Sequence, residues 1–511
     1  MSDWTAGYVA DIGYTYGYYS ELNPLHLRFA FLSAGLAEPN VRVACELGFG
    51  QGLSANIHAA ASITKWYGTD FNPSQAAFAQ ELAQVSGSNA QLFDEGFAEF
   101  CARSDLPDFD YIGLHGIWSW ISDENRKTIV DFLRRKLKVG GVLYISYNTQ
   151  PGWAAMVPMR HLLTEHAEIM AAPGRGIVSR VDAAMDFAGK LLATNPLYAR
   201  ANPQVVERIA KMKEQNRNYL AHEYFNRDWH PMPFAEMAEW LAPAKLDFAC
   251  SAHYLSHVDV VNLTEEQQTF LKEIPDVMFR ESVRDFMVNQ QFRKDYWVKG
   301  ARTLSALDRI EHIRQQRVIL VVSRADVSLK TKGALGEAKM SEAVYSPILD
   351  TLAGHSILTV GQIEQEVASR GISLGQVVEA LMLLTHMGVL TAVQDAESIN
   401  KAKPHVDKLN LYLMSKARSS NEISYLASAV NGGGIALGRF QQLFILAIRL
   451  GKTEPAELAS FVWNILSAQG QKIVKEGKTL ETVEDNLAEL TAQATTFTKQ
   501  QLPILKALQV A

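Results

Sequence analysis

Residues 41–52, VRVACELGFGQG, run from an apolar stretch into an acid and then into alternating glycines: Glu46 is followed by Gly48, Gly50 and Gly52. Removing side chains at alternate positions lets a bulky ligand lie against the backbone. Two later segments end in acids as well. Asp70 follows KWYGT, and Asp94 and Glu95 follow QLF, with Phe97 close behind. A carboxylate can accept two hydroxyls at once, and a group of acids favours a cationic ligand over a pyrophosphate, which needs basic partners. A dinucleotide turn of the form GxGxxG needs a third glycine for close helix–strand packing, and the residue at that place is Leu53.

Aromatic and polar candidates surround this set. Tyr14, Tyr16, Tyr18 and Tyr19 crowd the segment before the glycine turn. They suit a lid whose rings face a cation, at roughly 0.5–2 kcal/mol per ring, or whose hydroxyls orient a nucleophile; packing on a sheet is the plainer alternative. LHGIWSW places His115 at a strand end, to take a proton, orient an acceptor, touch a ligand or bond a neighbouring backbone group. Trp118 and Trp120 fit either a channel wall or a core, and Tyr147 and Asn148 are polar rim candidates. His222 and Glu223, in AHEYF, are unusual for a purely structural helix and are expected to pack back near the pocket. The second histidine of a zinc-protease HExxH is missing there.

The scaffold for these residues is legible as strand–helix alternation. The strand candidates are VRVACELG (41–48), ITKWYGTDF (63–71), AQLFDEG (90–96), FDYIGLHGIWSW (109–120) and GVLYISYNT (141–149), each but the last followed by a helical stretch. Asn72 and Pro73 are suited to cap and open the second helix. Such alternation predicts an α/β, Rossmann-like, doubly wound parallel sheet with its ligand at the carboxyl ends of the strands.

This acid–glycine series resembles the class I S-adenosylmethionine-dependent methyltransferases. The resemblance implies S-adenosyl-L-methionine as cofactor, S-adenosyl-L-homocysteine as product and no metal. It implies backbone contacts at Gly48, Gly50 and Gly52, and a role for Glu46 toward the amino group or the site's water. Asp70 would hold the ribose hydroxyls, and Asp94 or Glu95, with the backbone near Phe97, would meet the adenine. His115 is carried as a cofactor contact too. A narrower resemblance runs through TYGYYSELNP, LHGIWSWIS, YNTQPGW, YLAHEYFN, PFAEMAEWLAPAKLDFACSAHY and ISYLASAVNGGGIALGRFQQLFILA. In this order the phrases are similar to the bacterial, rickettsial-type protein-lysine methyltransferases that carry a methyltransferase regulatory domain. That implies a protein substrate presenting lysine, of surface or outer-membrane type, with Tyr16, Tyr18, His115, Trp118 and Tyr147 as catalytic candidates. Two rivals stand beside it: an O- or N-methyltransferase for a sugar or small metabolite, with His115 as base, and a cofactor-binding regulator without catalysis.

At 511 residues, several domains are expected. The division reads as 1–151 for the cofactor domain with its tyrosine lid, 152–225 for a helical insertion and 226–327 for the regulatory region. A winged-helix-like domain (328–400) and a helical C-terminal domain (401–511) follow. The downstream half is expected to select substrate or hold a homodimer, and a chain ending near residue 325, if it folds, to keep cofactor binding yet lose turnover on the protein substrate. With 49 Lys+Arg against 55 Asp+Glu the net charge is −6, and the winged-helix segment lacks a basic third helix, so nucleic acid is not an expected partner. Cys45, Cys101 and Cys250 have no metal or disulfide spacing and read as buried thiols. The start lacks a secretory pattern and no run reaches the roughly 20 apolar residues of a membrane span. A cytoplasmic protein is expected.

Overall fold

The first five strands are short apolar runs that lie parallel because a helix returns the chain after each of the first four. The computed structural model of the chain describes residues 8, 13–170, 174 and 176–511. In it β1 (Val43–Leu47), β2 (Lys65–Thr69), β3 (Gln91–Phe93), β4 (Phe109–Leu114) and β5 (Leu137–Asn148) take the order β3-β2-β1-β4-β5. The order reverses at β1, so the crevice above the ends of β1 and β4 is the ligand position of such a sheet.

The helices between them start and stop for local reasons. α1 (Pro24–Ser33) begins at Asn23, whose side chain accepts from the Leu25 N–H. α2 (Leu53–Ala61) leaves the glycine turn from Gly52, at φ 67°. α3 (Pro73–Ser86) is capped by Asn72, carries Pro73 in its first turn and ends on left-handed Gly87. α4 (Phe97–Ala102) follows β3. α5 (Asp123–Lys136) opens on Ser122 with Asp123 and Glu124 in the first turn, and closes on Arg134, Arg135 and Lys136, which suits the helix dipole at both ends.

The sheet does not stop at residue 151, as the expected boundary has it. β7 (Phe292–Val298) pairs antiparallel with β5, and β6 (Asp247–Ser251) pairs antiparallel with β7, to give seven strands in the order β3-β2-β1-β4-β5-β7-β6. Without these strands the outer edge of β5 would be unpaired; Tyr296 and Trp297 of β7 are both fully buried. The residues between β5 and β6 include a helical excursion whose apolar faces close on themselves through Met159, Leu163, Val181, Met185, Ile209 and Leu220.

QRVILVVSRAD, expected in the regulatory region, also lands elsewhere. It supplies β8 (Arg317–Leu320), which pairs with β11 (Leu358–Thr359) and β12 (Leu390–Ala392) in a small antiparallel sheet. The hairpin β9 (Lys330–Gly333) and β10 (Gly336–Lys339) lies between. Ile348, Leu349, Leu381 and Leu384 of this part share one buried cluster with Phe31, Tyr111, Tyr144 and Tyr296 on one face of the main sheet. Phe109, Phe132, Leu143, Phe234 and Trp297 form the core of the other face. A third cluster joins Leu53, Ile57 and Leu82 of α2 and α3 to Val406, Leu413, Leu443 and Leu490 near the C-terminus. The downstream half therefore covers the helices of the cofactor domain. A chain cut near 325 would expose that apolar surface.

The three cysteines are buried and free. Among the described residues no helix is long and apolar enough to cross a membrane, and no cluster of three or more metal-ligating side chains occurs.

Candidate active site

The turn after β1 sets the floor of a cleft of about 460 Å³. Gly48, Gly50 and Gly52 all take positive φ, at 74°, 58° and 67°. A Cβ at Gly48 would come within 2.9 Å of Ile117, and one at Gly52 would collide with Ala79 of α3. Gly52 thus permits the close packing of α2 that a dinucleotide motif assigns to its third glycine, one position later. At Gly50 the neighbouring space is open apart from the Tyr14 ring, 3.7 Å away.

The acids stand around this floor. Asp70, just past β2, accepts from the Gly50 N–H at 2.8 Å and the Asn72 N–H at 3.0 Å, which ties the second strand end to the glycine turn. Burial pushes its pKa up to about 6 despite those two donors. Glu46, at the end of β1, is 1% exposed, and its Oε2 accepts no hydrogen bond among the described residues. Burial, then the charge of Asp70, pushes it up to about 8. Glu95 is held by Arg103 at 2.5 Å, and that guanidinium lies over the Phe93 ring. Glu99 reaches back to the Gly96 N–H at 3.1 Å. With Asp94, Glu223 and Asp228, seven carboxylates line the cleft, and among the described residues no lysine or arginine does.

The opposite wall comes from the N-terminal segment, the end of β4 and the helical excursion. Tyr19 stacks on His115 with centroids 3.6 Å apart, and His115 Nδ1 lies 2.8 Å from the Tyr144 hydroxyl. Burial drives the His115 pKa down to about 3, so the ring is neutral. The helix Arg217–Tyr224 brings His222 and Glu223 into the same cavity. The Tyr14 and Tyr8 rings lie 5.0 and 5.6 Å from the His222 ring. The Tyr14 hydroxyl donates to Glu223 over a long 3.5 Å, and the Trp120 indole N–H donates to the Glu223 carbonyl at 3.4 Å. Burial raises the Glu223 carboxyl to about 7.

Of the residues singled out in the sequence, Glu46, Gly48, Gly50, Gly52, Asp70, Asp94, Glu95, Phe97 and His115 line the cleft, together with Tyr14, Tyr19, Trp120, His222 and Glu223. Five others do not. Trp118 is fully buried in the sheet core, its indole N–H directed at the Met232 sulfur. Tyr147 is fully buried too and donates to Asp295 at 3.0 Å, inside a network around Arg293. Asn148 is buried, its backbone N–H bonded to Ser119. Tyr16 packs on Phe78, and Tyr18 on His58 and Tyr425, both turned toward the C-terminal helices and hairpin. From Thr15 onward the reason is a one-residue phase: Thr15, Gly17 and Tyr19 line the cleft and Tyr16 and Tyr18 do not, whereas Tyr14, before the alternation sets in, also lines it. Tyr8, Ser122, Asn125 and Asp228 line the cleft without having been anticipated. Ser122 and Asn125 start the helix after β4, a position the helix-capping pattern marks; Tyr8 and Asp228 have no such local signal.

Residues 216–299 match the family described as "Predicted methyltransferase regulatory domain", a span that includes Glu223, β6 and β7. Over 513 aligned residues the chain is 41% identical to the uncharacterized protein sll1526 of Synechocystis sp., covering 99% of this chain and 100% of the relative. The fold is similar to PKMT2 from Rickettsia typhi, with a TM-score of 0.70 at 17% identity over 98% of this chain and 100% of that one. The same rickettsial protein in complex with AdoHcy gives a TM-score of 0.69 at 16% identity, covering 95% and 98%. The chain belongs to one family with Synechocystis sll1526, has the class I methyltransferase fold and carries the methyltransferase regulatory domain.

Proposed function

We propose that this protein transfers a methyl group from S-adenosylmethionine to an alkyl amine, the lysine side chains of a protein foremost. One observation carries the reading. Among the described residues, seven carboxylates line the cleft with no basic side chain, and Glu46 keeps a buried oxygen without a partner. Burial pushes three of them, Glu46, Asp70 and Glu223, toward protonation, and a ligand bearing an ammonium and a sulfonium offsets that cost. The residues fit that ligand. Glu46 would face the ammonium, the backbone from Gly48 to Gly52 the methionine part, and the remaining lone pairs of Asp70 the ribose hydroxyls. Asp94, Glu95 and Phe97 border the adenine end. The AdoHcy held by the similarly folded rickettsial protein supports this choice of cofactor. When bound, S-adenosylmethionine supplies an electrophilic methyl on a positively charged sulfur.

The chain's own work is to seat the acceptor and manage its proton. The rings of Tyr8, Tyr14, Tyr19 and Trp120 line the same cavity as Glu223 and favour an alkylammonium there. With a free pKa of about 10.4, only about one such amine in 2,500 is neutral at pH 7. Loss of water around the amine and the positive sulfonium beside it lower that pKa against the pull of the rings, and Glu223, at about 7, is matched to receive the proton. Tyr14, whose hydroxyl burial keeps protonated, steadies the carboxylate as a donor. After transfer the amine is again a cation, and Glu223 returns its proton to water. A hydroxyl acceptor is served less well, because its best base, His115, sits at about 3 beneath Tyr19.

Calorimetric titration with S-adenosylmethionine and, separately, NAD, followed by label transfer to lysine-containing and lysine-acetylated protein mixtures, tests the proposal. Binding of the first ligand alone and labelling of the unblocked mixture are the expected results. Equal labelling of both mixtures would contradict the lysine acceptor.

A further inference from the structure

NGGG (431–434) has no part in the cleft, yet the backbone there is shaped around one cleft-forming segment. β13 (Tyr425–Ser428) and β14 (Gly433–Ala436) form a hairpin in the C-terminal region, and its turn touches the tyrosine segment. A Cβ at Gly433 would collide with the Tyr18 hydroxyl, and one at Gly434 would lie 2.9–3.0 Å from three atoms of the Tyr18 ring. The glycines let that ring rest flat on the hairpin backbone. The contact is hydrogen-bonded on both sides. Asn23 donates to the Asn431 carbonyl at 3.0 Å, Asn431 accepts from the Gly433 N–H at 3.0 Å, and Tyr18 engages Gly434 and Asn23. His58 of α2 completes the clamp, with its ring 5.1 Å from Tyr18 and its Nε2 3.2 Å from the Tyr19 carbonyl. On the other side of the same segment Thr15, Gly17 and Tyr19 line the cleft, and Tyr19 stacks on His115. An extended chain has alternating faces, so fixing one fixes the other.

We infer that the Asn431–Gly434 turn is the anchor that holds residues 15–19 closed over the cofactor cleft, with Tyr18, Gly433 and Gly434 as positioning residues that act through Tyr19. The C-terminal region thereby sets the affinity and residence time of the cofactor without touching it. This rests on the proposed cofactor. Gln394 strengthens the coupling, as its side chain donates both to the Ala61 carbonyl at the end of α2 and to the Ala429 carbonyl beside the turn.

The test uses the full chain, AdoHcy as probe, and the variants Gly434→Val, Tyr18→Ala and Tyr18→Phe. Gly434→Val displaces the ring, and Tyr18→Ala removes it if the first variant folds poorly. Both weaken AdoHcy binding by about tenfold or more, mainly through faster dissociation. Both also raise amide hydrogen exchange at residues 13–19 while exchange in β1 and in residues 439–449 stays at the wild-type level. Tyr18→Phe keeps the ring contact and stays close to wild type. The double variant loses no more than the worse single one, because both act through one contact. Unchanged AdoHcy affinity in a variant with faster exchange at 13–19 would overturn the inference, as would unchanged exchange there. Failure of the wild-type chain to bind AdoHcy would instead defeat the proposed function, and the exchange comparison would still decide whether the turn holds the segment.

Discussion

Replacing Glu46 by glutamine probes the charge balance of the cleft most sharply. Glu46 is fully enclosed at the end of β1, and burial together with Asp70 pushes its pKa up to about 8. At pH 7 the free chain therefore holds it roughly nine parts in ten protonated. A cationic cofactor binds the ionised form, so binding releases up to about 0.9 proton at pH 7. The ionised fraction rises from about 1% at pH 6 to about half at pH 8, so the affinity for S-adenosylmethionine should climb roughly 50-fold over that range. Asp70, raised to about 6, adds a shallower rise that is mostly complete by pH 7. In Glu46→Gln the amide keeps the shape and removes the titration, leaving only the Asp70 component. Calorimetry in two buffers of different ionisation enthalpy, repeated across pH 6 to 8, measures both proton release and affinity. A wild-type affinity that is flat with pH, with no proton released, would refute the argument that an uncompensated carboxylate awaits the ligand.

Further outcomes follow from the same geometry. Asp70→Ala should weaken cofactor binding by about 2–4 kcal/mol, since the glycine turn also loses its tie to the second strand; calorimetry on a folded variant checks it. Thermal unfolding of the free chain should shift to lower temperature as pH rises from 5 to 8. Glu46, Asp70 and Glu223 all have folded pKa values above their unfolded ones, so the stability they lend below the unfolded pKa is lost as each ionises; saturating AdoHcy should flatten the trend. Glu223→Gln should leave AdoHcy affinity within about twofold while lowering methyl transfer and removing its rise near pH 7, read by initial rates over pH 6 to 9. Trp118→Ala should destabilise the fold by about 3–5 kcal/mol, because the ring is core, whereas the residual folded enzyme keeps its cofactor affinity.

What was readable in the sequence was local. β1 to β5 announce themselves because each apolar run is followed by a cap or turn residue such as Gly52, Asn72 or Ser122, and the acids of the cleft sit at the strand ends where the fold presents side chains. β6 and β7 carry no comparable signal. They are recruited from beyond a helical excursion, β7 against β5 and β6 as the outer edge, and it is the otherwise unfilled edge of β5 that requires them. The misplaced aromatics were questions of phase. Tyr144 and Tyr147 are three apart on one strand and so face opposite sides, the first toward His115 and the second toward Asp295. Tyr18 and Tyr19 divide between hairpin and cleft in the same way. Composition around a residue reports that a segment is aromatic; the register that decides which ring meets the ligand is set by partners far away in the chain.

Methyl transfer to lysine is read out by giving the full chain methyl-tritiated S-adenosylmethionine in a lysate of the cell that makes it, and mapping the labelled protein by tandem mass spectrometry. The added mass should sit on lysine side chains and disappear with Asp70→Ala. Methyl groups found only on hydroxyls, carboxylates or free small molecules, with every lysine unmodified, would contradict it.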